Sequence, residues 1–512
     1  MQFFRLFALF SAAFLFLALP AVIVYRPVDM AYGLLWAGSI FAMSVALFLA
    51  PRSSKGLIVI FGLLAFGLVC LNLLLSASYS LQQFRFNEAF FSHFDLKTAL
   101  SGFAVEPLKS YALLAYLVLA PVVIFVALLV PTPPILGRWQ AAIAVVVFAV
   151  SVVSSYPLNA LVQYNVARNA TSERLSEEIA AMQAKTRVTV DGRDNAPNLV
   201  LIYLEGVEQS YLDEDRFPGL LPRMSTLQDE GVTFTEIVQF PGTSWTIAGM
   251  VATQCGVPLL TEGYGNTILE QSDNPFAHIN CLAEILNDVG YHTIYMGGAR
   301  LSFAGKGAFL TENGYAQVLG VDEMPSTSVK YWGLYDSALL INANRVFDAL
   351  ADSDARFLFS MLTLDTHPAG NPSPGCEEYP GRSDRMLQAV HCSDQLIYDF
   401  VRHVQASPVG DNTVIVLVSD HLMQSANHLD ELKSGERRLI FTMLGSGIAP
   451  ERVPALGTHF DIGPTILDAL GFANVEMPLG HSLLKHNQGF PQSRGLTEDD
   501  IRAFRLETLI PQ

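Results

Sequence analysis

The chain has 512 residues, 51% of them hydrophobic and only 15% charged, and a formal net charge of −17. That length suits two or more domains, and the composition is too apolar for a wholly soluble protein. The acidic balance argues against nucleic acid as a partner and against docking on anionic lipid through a basic patch.

The apolar excess lies at the N-terminal end. Five stretches are apolar enough to span a bilayer: Phe7–Val24, Ala31–Ala50, Gly56–Leu75, Tyr111–Val130 and Trp139–Val153. Arg5, Arg52, Lys55 and Arg138 fall on one side if the chain weaves through in order, which makes that side cytoplasmic. Five is odd, so everything after the fifth span is expected outside. The aromatic-rich segment Ser80–Lys109 reads either as an interfacial amphipathic helix or as a loop with buried aromatics. The spans carry almost no ionisable residues and so read as an anchor, not an ion pathway.

The expected domains are a transmembrane domain over 1–157, a connecting helix and linker over 158–197, and an outer domain over 198–512. Leu158–Lys185 supplies the helix-prone part of the link. Of five cysteines, Cys70 lies in an apolar run and four fall in the outer part. Four cysteines allow three pairings. The pairs Cys255–Cys281 and Cys376–Cys392 are favoured because each closes a modest loop, and an outer location permits disulfides.

From Asn198 onward, short apolar strands alternate with helical stretches, the pattern of an α/β domain with a mainly parallel sheet. Strands are expected at Asn198–Leu204, His292–Met296, Phe357–Leu364, Thr413–Ser419 and Leu439–Leu444, with helices at Cys281–Val289 and Ser337–Ala351. Open parallel sheets bind ligands just beyond the carboxyl ends of their strands. Glu205, His367, Asp420 and His421 stand at such ends.

Phe240–Pro258 follows a further strand-like run, turns at Pro241-Gly242 and opens into a small-residue helix. Thr243 is expected where that helix begins. It, or Ser244, then reads either as an N-cap or as a hydroxyl facing phosphate at the positive helix end. With Glu205, Asp420 and His421, a Thr243 hydroxyl completes a mixed O/N set for a divalent ion, Mn²⁺ first, with Zn²⁺ or Mg²⁺ as alternatives. Such an ion activates Thr243 as a nucleophile and neutralises phosphoryl oxygens. His367 and His428 are candidates for proton transfer and substrate binding. The Gly-rich segment Gly297–Gly307 carries Arg300 and Lys306, candidates for an anionic headgroup or a sugar acceptor.

Glu205, Thr243, His367, Asp420-His421, Asp461–Gly471 and Gly480–Leu484, in that order, resemble the sulfatase-type branch of the alkaline phosphatase superfamily. Five spans and a threonine nucleophile resemble its lipoteichoic acid synthase and phosphoglycerol transferase group. Gly242–Pro258 is most similar to the phosphoglycerol transferases of osmoregulated periplasmic glucans, and Trp332-Gly-Leu-Tyr-Asp336 matches a Trp-Gly-x-x-Asp pattern of the group. The resemblance implies a sulfatase-like catalytic domain in the periplasm of a bacterial inner-membrane protein. It also implies metal binding by Glu205, Thr243, Asp420 and His421, and His367 on the glycerol-phosphate. Phosphatidylglycerol would be the donor, a glucan the acceptor and diacylglycerol the by-product.

Phe303 and Lys306 stand where lipoteichoic acid synthases have a Trp and an Arg, which favours single-group transfer over polymer synthesis. No modifiable Cys or Ser in a Cys/Ser-x-Pro-x-Arg context lies near Thr243, which argues against sulfate-ester hydrolysis. Phosphoethanolamine transferases of lipid A usually carry Ser-Asp-His-Gly-Glu-Ser, whereas here Ser419-Asp-His is followed by Leu422-Met-Gln. The third alternative is a non-catalytic lipid- or polysaccharide-binding protein.

Overall fold

A computed structural model describes residues 14–17, 30–49, 55–82, 86, 90–91, 107–129, 139–169, 172–175, 177–178, 196–261, 269, 274–325, 328–330, 332–472 and 477–506. The chain divides into two compact units, Met1–Asn169 and Ala170–Gln512.

The first unit is helical: α1 (Met30–Leu49), α2 (Lys55–Gln82), α3 (Pro107–Leu129), α4 (Gln140–Val153) and α5 (Tyr156–Arg168). Helices α1 to α4 run through the second to fifth expected spans. The first, Phe7–Val24, lies outside the described residues apart from 14–17. Phe61 of α2 stacks on Phe148 of α4 at 4.6 Å, and the Tyr116 hydroxyl of α3 donates to the Leu17 carbonyl at 2.8 Å.

Outward positions are also apolar: Leu63, Phe125 and Val153 are 66%, 63% and 75% exposed. Among the described residues no single helix is long and apolar enough to cross a membrane. Val59–Leu75 and Leu114–Val126 are shorter apolar stretches, and Gln140–Val153 with Tyr156–Val166, bent by 51°, passes by length and composition as a pair. Of Ser80–Lys109, the described Phe86, Phe90 and Phe91 are buried in an aromatic cluster, with Phe90 and Phe91 helical, and 83–85, 87–89 and 92–106 lie outside the described residues. Of the expected connecting stretch Leu158–Lys185, α5 reaches Arg168 and short helical pieces lie at 173–175 and 177–178, while 170–171, 176 and 179–185 lie outside the described residues.

The second unit is built on an eight-stranded sheet in the order β10-β2-β9-β8-β1-β7-β3-β4. Its strands are β1 (Asn198–Leu204), β2 (Val232–Val238), β3 (His292–Gly297), β4 (Gln317–Leu319), β7 (Phe357–Leu362), β8 (Thr413–Ser419), β9 (Phe441–Gly445) and β10 (Glu451–Thr458). All pair in parallel except β9, which runs antiparallel to both β2 and β8. The expected mainly parallel sheet is therefore present. The three central strands β1, β7 and β8 are buried along their whole length, as their continuous Val/Ile/Leu/Phe runs require. A two-residue-strand hairpin, β5 (Val329–Lys330) with β6 (Gly333–Leu334), lies outside this sheet.

Around the sheet lie α6 (Pro222–Asp229), α7 (Thr246–Cys255), α8 (Leu282–Asp288), α9 (Lys306–Glu312), α10 (Asp336–Ala351), α11 (Arg385–Ala406), α12 (Leu429–Lys433) and α13 (His459–Ala469). Both expected disulfides form. Cys255–Cys281 joins the end of α7 to the residue before α8, and Cys376–Cys392 ties a loop to α11.

Candidate active site and metal centre

Sheet register assembles the site. β1 and β8 are parallel neighbours with Leu204 opposite Ser419, so the next residues, Glu205 and Asp420, emerge side by side. β7 flanks β1 on the other side, and its extension carries Asp365-Thr366-His367 to the same edge. Threonines of that extension hold the Glu205 backbone. Glu205 N–H donates to Thr363 Oγ1 at 3.0 Å, and the Thr366 hydroxyl donates to the Glu205 carbonyl.

Glu205, Asp420 and His421 converge with one ligand atom from each within 4.8 Å of the others, all buried. His421 Nε2 lies 3.3 Å from Glu205 Oε1 and 3.5 Å from Asp420 Oδ2. The remaining atoms are already committed. Asp420 Oδ1 accepts the Gly206 and His421 N–H groups at 2.8 and 2.7 Å. Glu205 Oε2 accepts the Thr246 hydroxyl at 3.0 Å. His421 Nδ1 lies 2.9 Å from the Leu422 carbonyl, so it carries the proton and leaves Nε2 with its lone pair. What is left over, Glu205 Oε1 and Asp420 Oδ2, is buried with no hydrogen-bond partner. Two carboxylate oxygens and one imidazole nitrogen aimed at a common point fit a divalent cation.

The electrostatics agree. Burial raises Glu205, but the adjacent His421 prevails and holds its carboxyl down at about 2. Burial and the Glu205 charge push Asp420 well above the usual carboxylate range. Burial lowers His421, yet Asp420 and Glu205 lift it to about 9. The three groups thus favour one added positive charge among them, which a dication supplies as it displaces a proton.

The Thr243 turn is stitched to this cluster on both sides. Gln424 donates to the Ser244 carbonyl, and Leu422 N–H donates to Gln239 Oε1 at 2.8 Å. Gly249 of α7 meets the Asp420 backbone so closely that a Cβ there would lie 1.8 Å from the Asp420 carbonyl oxygen. The helix itself begins later than expected. α7 starts at Thr246 with Trp245 as N-cap, so neither Thr243 nor Ser244 caps it. Thr243 belongs to the preceding turn. Gly242 at φ +75 makes that turn, and the buried Thr243 hydroxyl donates to the Phe240 carbonyl at 2.7 Å.

His367 reaches the same edge and feels the Glu205 charge; burial lowers its pKa. Lys306 is buried at the start of α9, after a left-handed pair at Ala304 and Gly305. Burial brings its amine down to about 8 against the pull of Glu205 and Asp420, and it has no hydrogen bond or ion pair to another described residue. Arg300 does not join these groups. It is exposed and paired with Asp322 at 3.0 Å. His428 is not brought to the cluster either: its Nε2 lies 2.8 Å from the Tyr211 hydroxyl and its Nδ1 3.3 Å from Asp384 Oδ2, the N-cap of α11.

Two participants, Thr246 and His459, are not marked by the sequence. Thr246 touches the Glu205 carboxylate, and His459 Nε2 donates to the Asp420 carbonyl at 2.8 Å. Asp336, the acid of the Trp-Gly-x-x-Asp pattern, accepts the Leu364 and Asp365 N–H groups at 2.7 and 2.9 Å, while Asp365 accepts Asp336 N–H at 3.1 Å and pairs with buried Lys330. That lock fixes the loop bearing His367. Asp461 is a structural cap: it completes a capping box with Thr458 and accepts the His481 and Phe490 N–H groups.

The sequence profile of the sulfatase family matches residues 197–472. The chain belongs to the sulfatase family. The chain is 38% identical over 298 residues to phosphoglycerol transferase I of Salmonella paratyphi B and of Salmonella typhimurium, matches that cover 56% of this chain and 39% of each relative. The matched part thus spans well under half the length of those relatives. Two solved structures share the fold. One is a protein in the alkaline phosphatase superfamily from Vibrio parahaemolyticus, with TM-score 0.51 and 20% identity, covering 61% of this chain and 78% of that one. The other is the lipoteichoic acid synthase LtaP from Listeria monocytogenes, with TM-score 0.50 and 17% identity, covering 60% and 81%.

Proposed function

We propose that this chain transfers a phosphoglycerol group from phosphatidylglycerol to a periplasmic glucan, with Thr243 as the nucleophile. The observation that carries this reading is the pair of orphaned carboxylate oxygens, Glu205 Oε1 and Asp420 Oδ2, converging with His421 beside the Thr243 turn. The 38% identity to phosphoglycerol transferase I supports the choice of group transferred.

Glu205, Asp420 and His421 would hold a divalent ion, most simply Mn²⁺, with Thr243 as its fourth ligand. Such an ion supplies Lewis-acid charge that favours the alkoxide of Thr243 and neutralises phosphoryl oxygens. The Thr243 hydroxyl turns from the Phe240 carbonyl and attacks phosphorus. The bond to the diacylglycerol oxygen breaks, and that oxygen takes a proton from His367. The Thr243 proton passes to water, which matches the proton that His367 gives up. In the second half, the acceptor hydroxyl gives its proton to His367 and attacks phosphorus, the bond to Thr243 Oγ breaks, and Thr243 Oγ takes a proton back from water. Lys306, a buried amine that feels the charge of Glu205 and Asp420, holds the donor phosphate. The apolar exterior of the first unit supports a multi-pass anchor, and the two disulfides support an outer, periplasmic catalytic domain.

The test supplies labelled phosphatidylglycerol and labelled phosphatidylethanolamine in parallel. Diacylglycerol release from the first only, abolished by Thr243→Ala, is expected. Release from phosphatidylethanolamine alone, or equal release by Thr243→Ala, would contradict the reading.

A further inference from the structure

Beside the metal cluster stand three aromatic rings in continuous contact, each only partly buried: Phe303, Trp332 and His367. Trp332 lies 4.5 Å from the His367 ring and meets Phe303 edge-on at 5.8 Å. The indole sits in the turn of the β5–β6 hairpin, which is fixed from below. Lys330 of β5 pairs with Asp365 in a buried contact. Leu334 N–H of β6 donates to the Gly298 carbonyl at 2.9 Å. Gly333, at φ +147, approaches so closely that a Cβ would lie 1.9 Å from Gly298 oxygen. Gly298 therefore serves hairpin docking as well as any ligand.

A glycerol-phosphate headgroup does not need such a wall. It has no ring and no apolar face, and Lys306 with the cluster already answers its charge. A hexopyranose does have an apolar face of axial C–H groups, and these carry partial positive charge that suits the negative face of an indole. A rigidly held ring also loses little freedom on binding. We infer that Trp332, with Phe303 behind it, is the platform on which a glucosyl unit of the acceptor lies while its hydroxyl meets His367. This assignment rests on the transferase reading above and adds the surface that selects a sugar as acceptor.

The experiment uses the full-length chain with phosphatidylglycerol vesicles, Mn²⁺ and two competing acceptors, a glucose oligosaccharide and free glycerol. Trp332→Ala is expected to lower the ratio of kcat/KM for oligosaccharide over glycerol by about tenfold, and Trp332→Phe to restore most of it. In a second arm, oligosaccharide binding to Mn²⁺-loaded Thr243→Ala protein is measured by calorimetry, with and without Trp332→Ala. Weakened binding in the double variant supports the platform even if phosphatidylglycerol is not cleaved, an outcome that would refute only the donor. A parallel fall with both acceptors, leaving the ratio unchanged, would instead make Trp332 a prop for His367 and overturn the inference. So would unchanged oligosaccharide binding.

Discussion

Thr246 Oγ1 donates a 3.0 Å hydrogen bond to Glu205 Oε2, which leaves Oε1 as the oxygen aimed at Asp420 and His421. The first residue of α7 thereby sets the rotamer of a metal-ligand candidate on β1. Outer-shell partners of this kind tune metal affinity by roughly 10–100-fold. Thr246→Val is expected to weaken Mn²⁺ binding, measured by calorimetry, within that range, and Thr246→Ser to preserve it. Equal affinity in wild type and Thr246→Val would remove the positioning role.

The Lys330–Asp365–Asp336 lock predicts a pH-dependent cost. Burial and the Asp365 charge raise Asp336 to about 8, with Lys330 working against them. The folded pKa lies above the unfolded value, so the folded state binds the extra proton between about pH 4 and pH 8. Stability therefore falls as pH rises through that window. Lys330→Met removes the cation from two buried carboxylates, a loss of about 3–5 kcal/mol by analogy with other broken buried pairs. The deficit is smaller at pH 6, where a proton takes part of the cation's place, than at pH 9. Urea melts at the two pH values check the order. A pH-independent deficit would contradict the assignment.

The disulfides predict separate stability losses. Cys376–Cys392 closes a 16-residue separation and Cys255–Cys281 one of 26. Loop entropy assigns about 3 kcal/mol to the first and slightly more to the second. Paired Cys→Ser variants, compared by chemical denaturation, should follow that order.

Much of this was legible because parallel strands advertise themselves. Asn198–Leu204 and Thr413–Ser419 are unbroken apolar runs whose ends coincide with the observed strands, and their polar successors had to share an edge. β10 was not legible: Pro454 interrupts it, four of its residues are exposed, and its pairing with β2 slips between Val453 and Leu456. Small polar residues suit caps, so the sequence points to a helix start at Thr243, yet tertiary contacts from Gln424 and Pro258 hold this stretch as a turn, and α7 begins three residues later. Arg300 and His428 are residue types suited to a site, and the structure sets Arg300 beside Asp322 and His428 between Asp384 and Tyr211. Composition cannot anticipate such partners.

The most direct measurement is mass spectrometry of the full-length protein after incubation with phosphatidylglycerol and Mn²⁺ in the absence of acceptor, with Thr243→Ala alongside. A glycerophosphoryl adduct confined to the Thr243 peptide, absent from the variant and discharged on adding glucan, is the predicted result. An adduct on another residue, or diacylglycerol release that persists in Thr243→Ala, would contradict it.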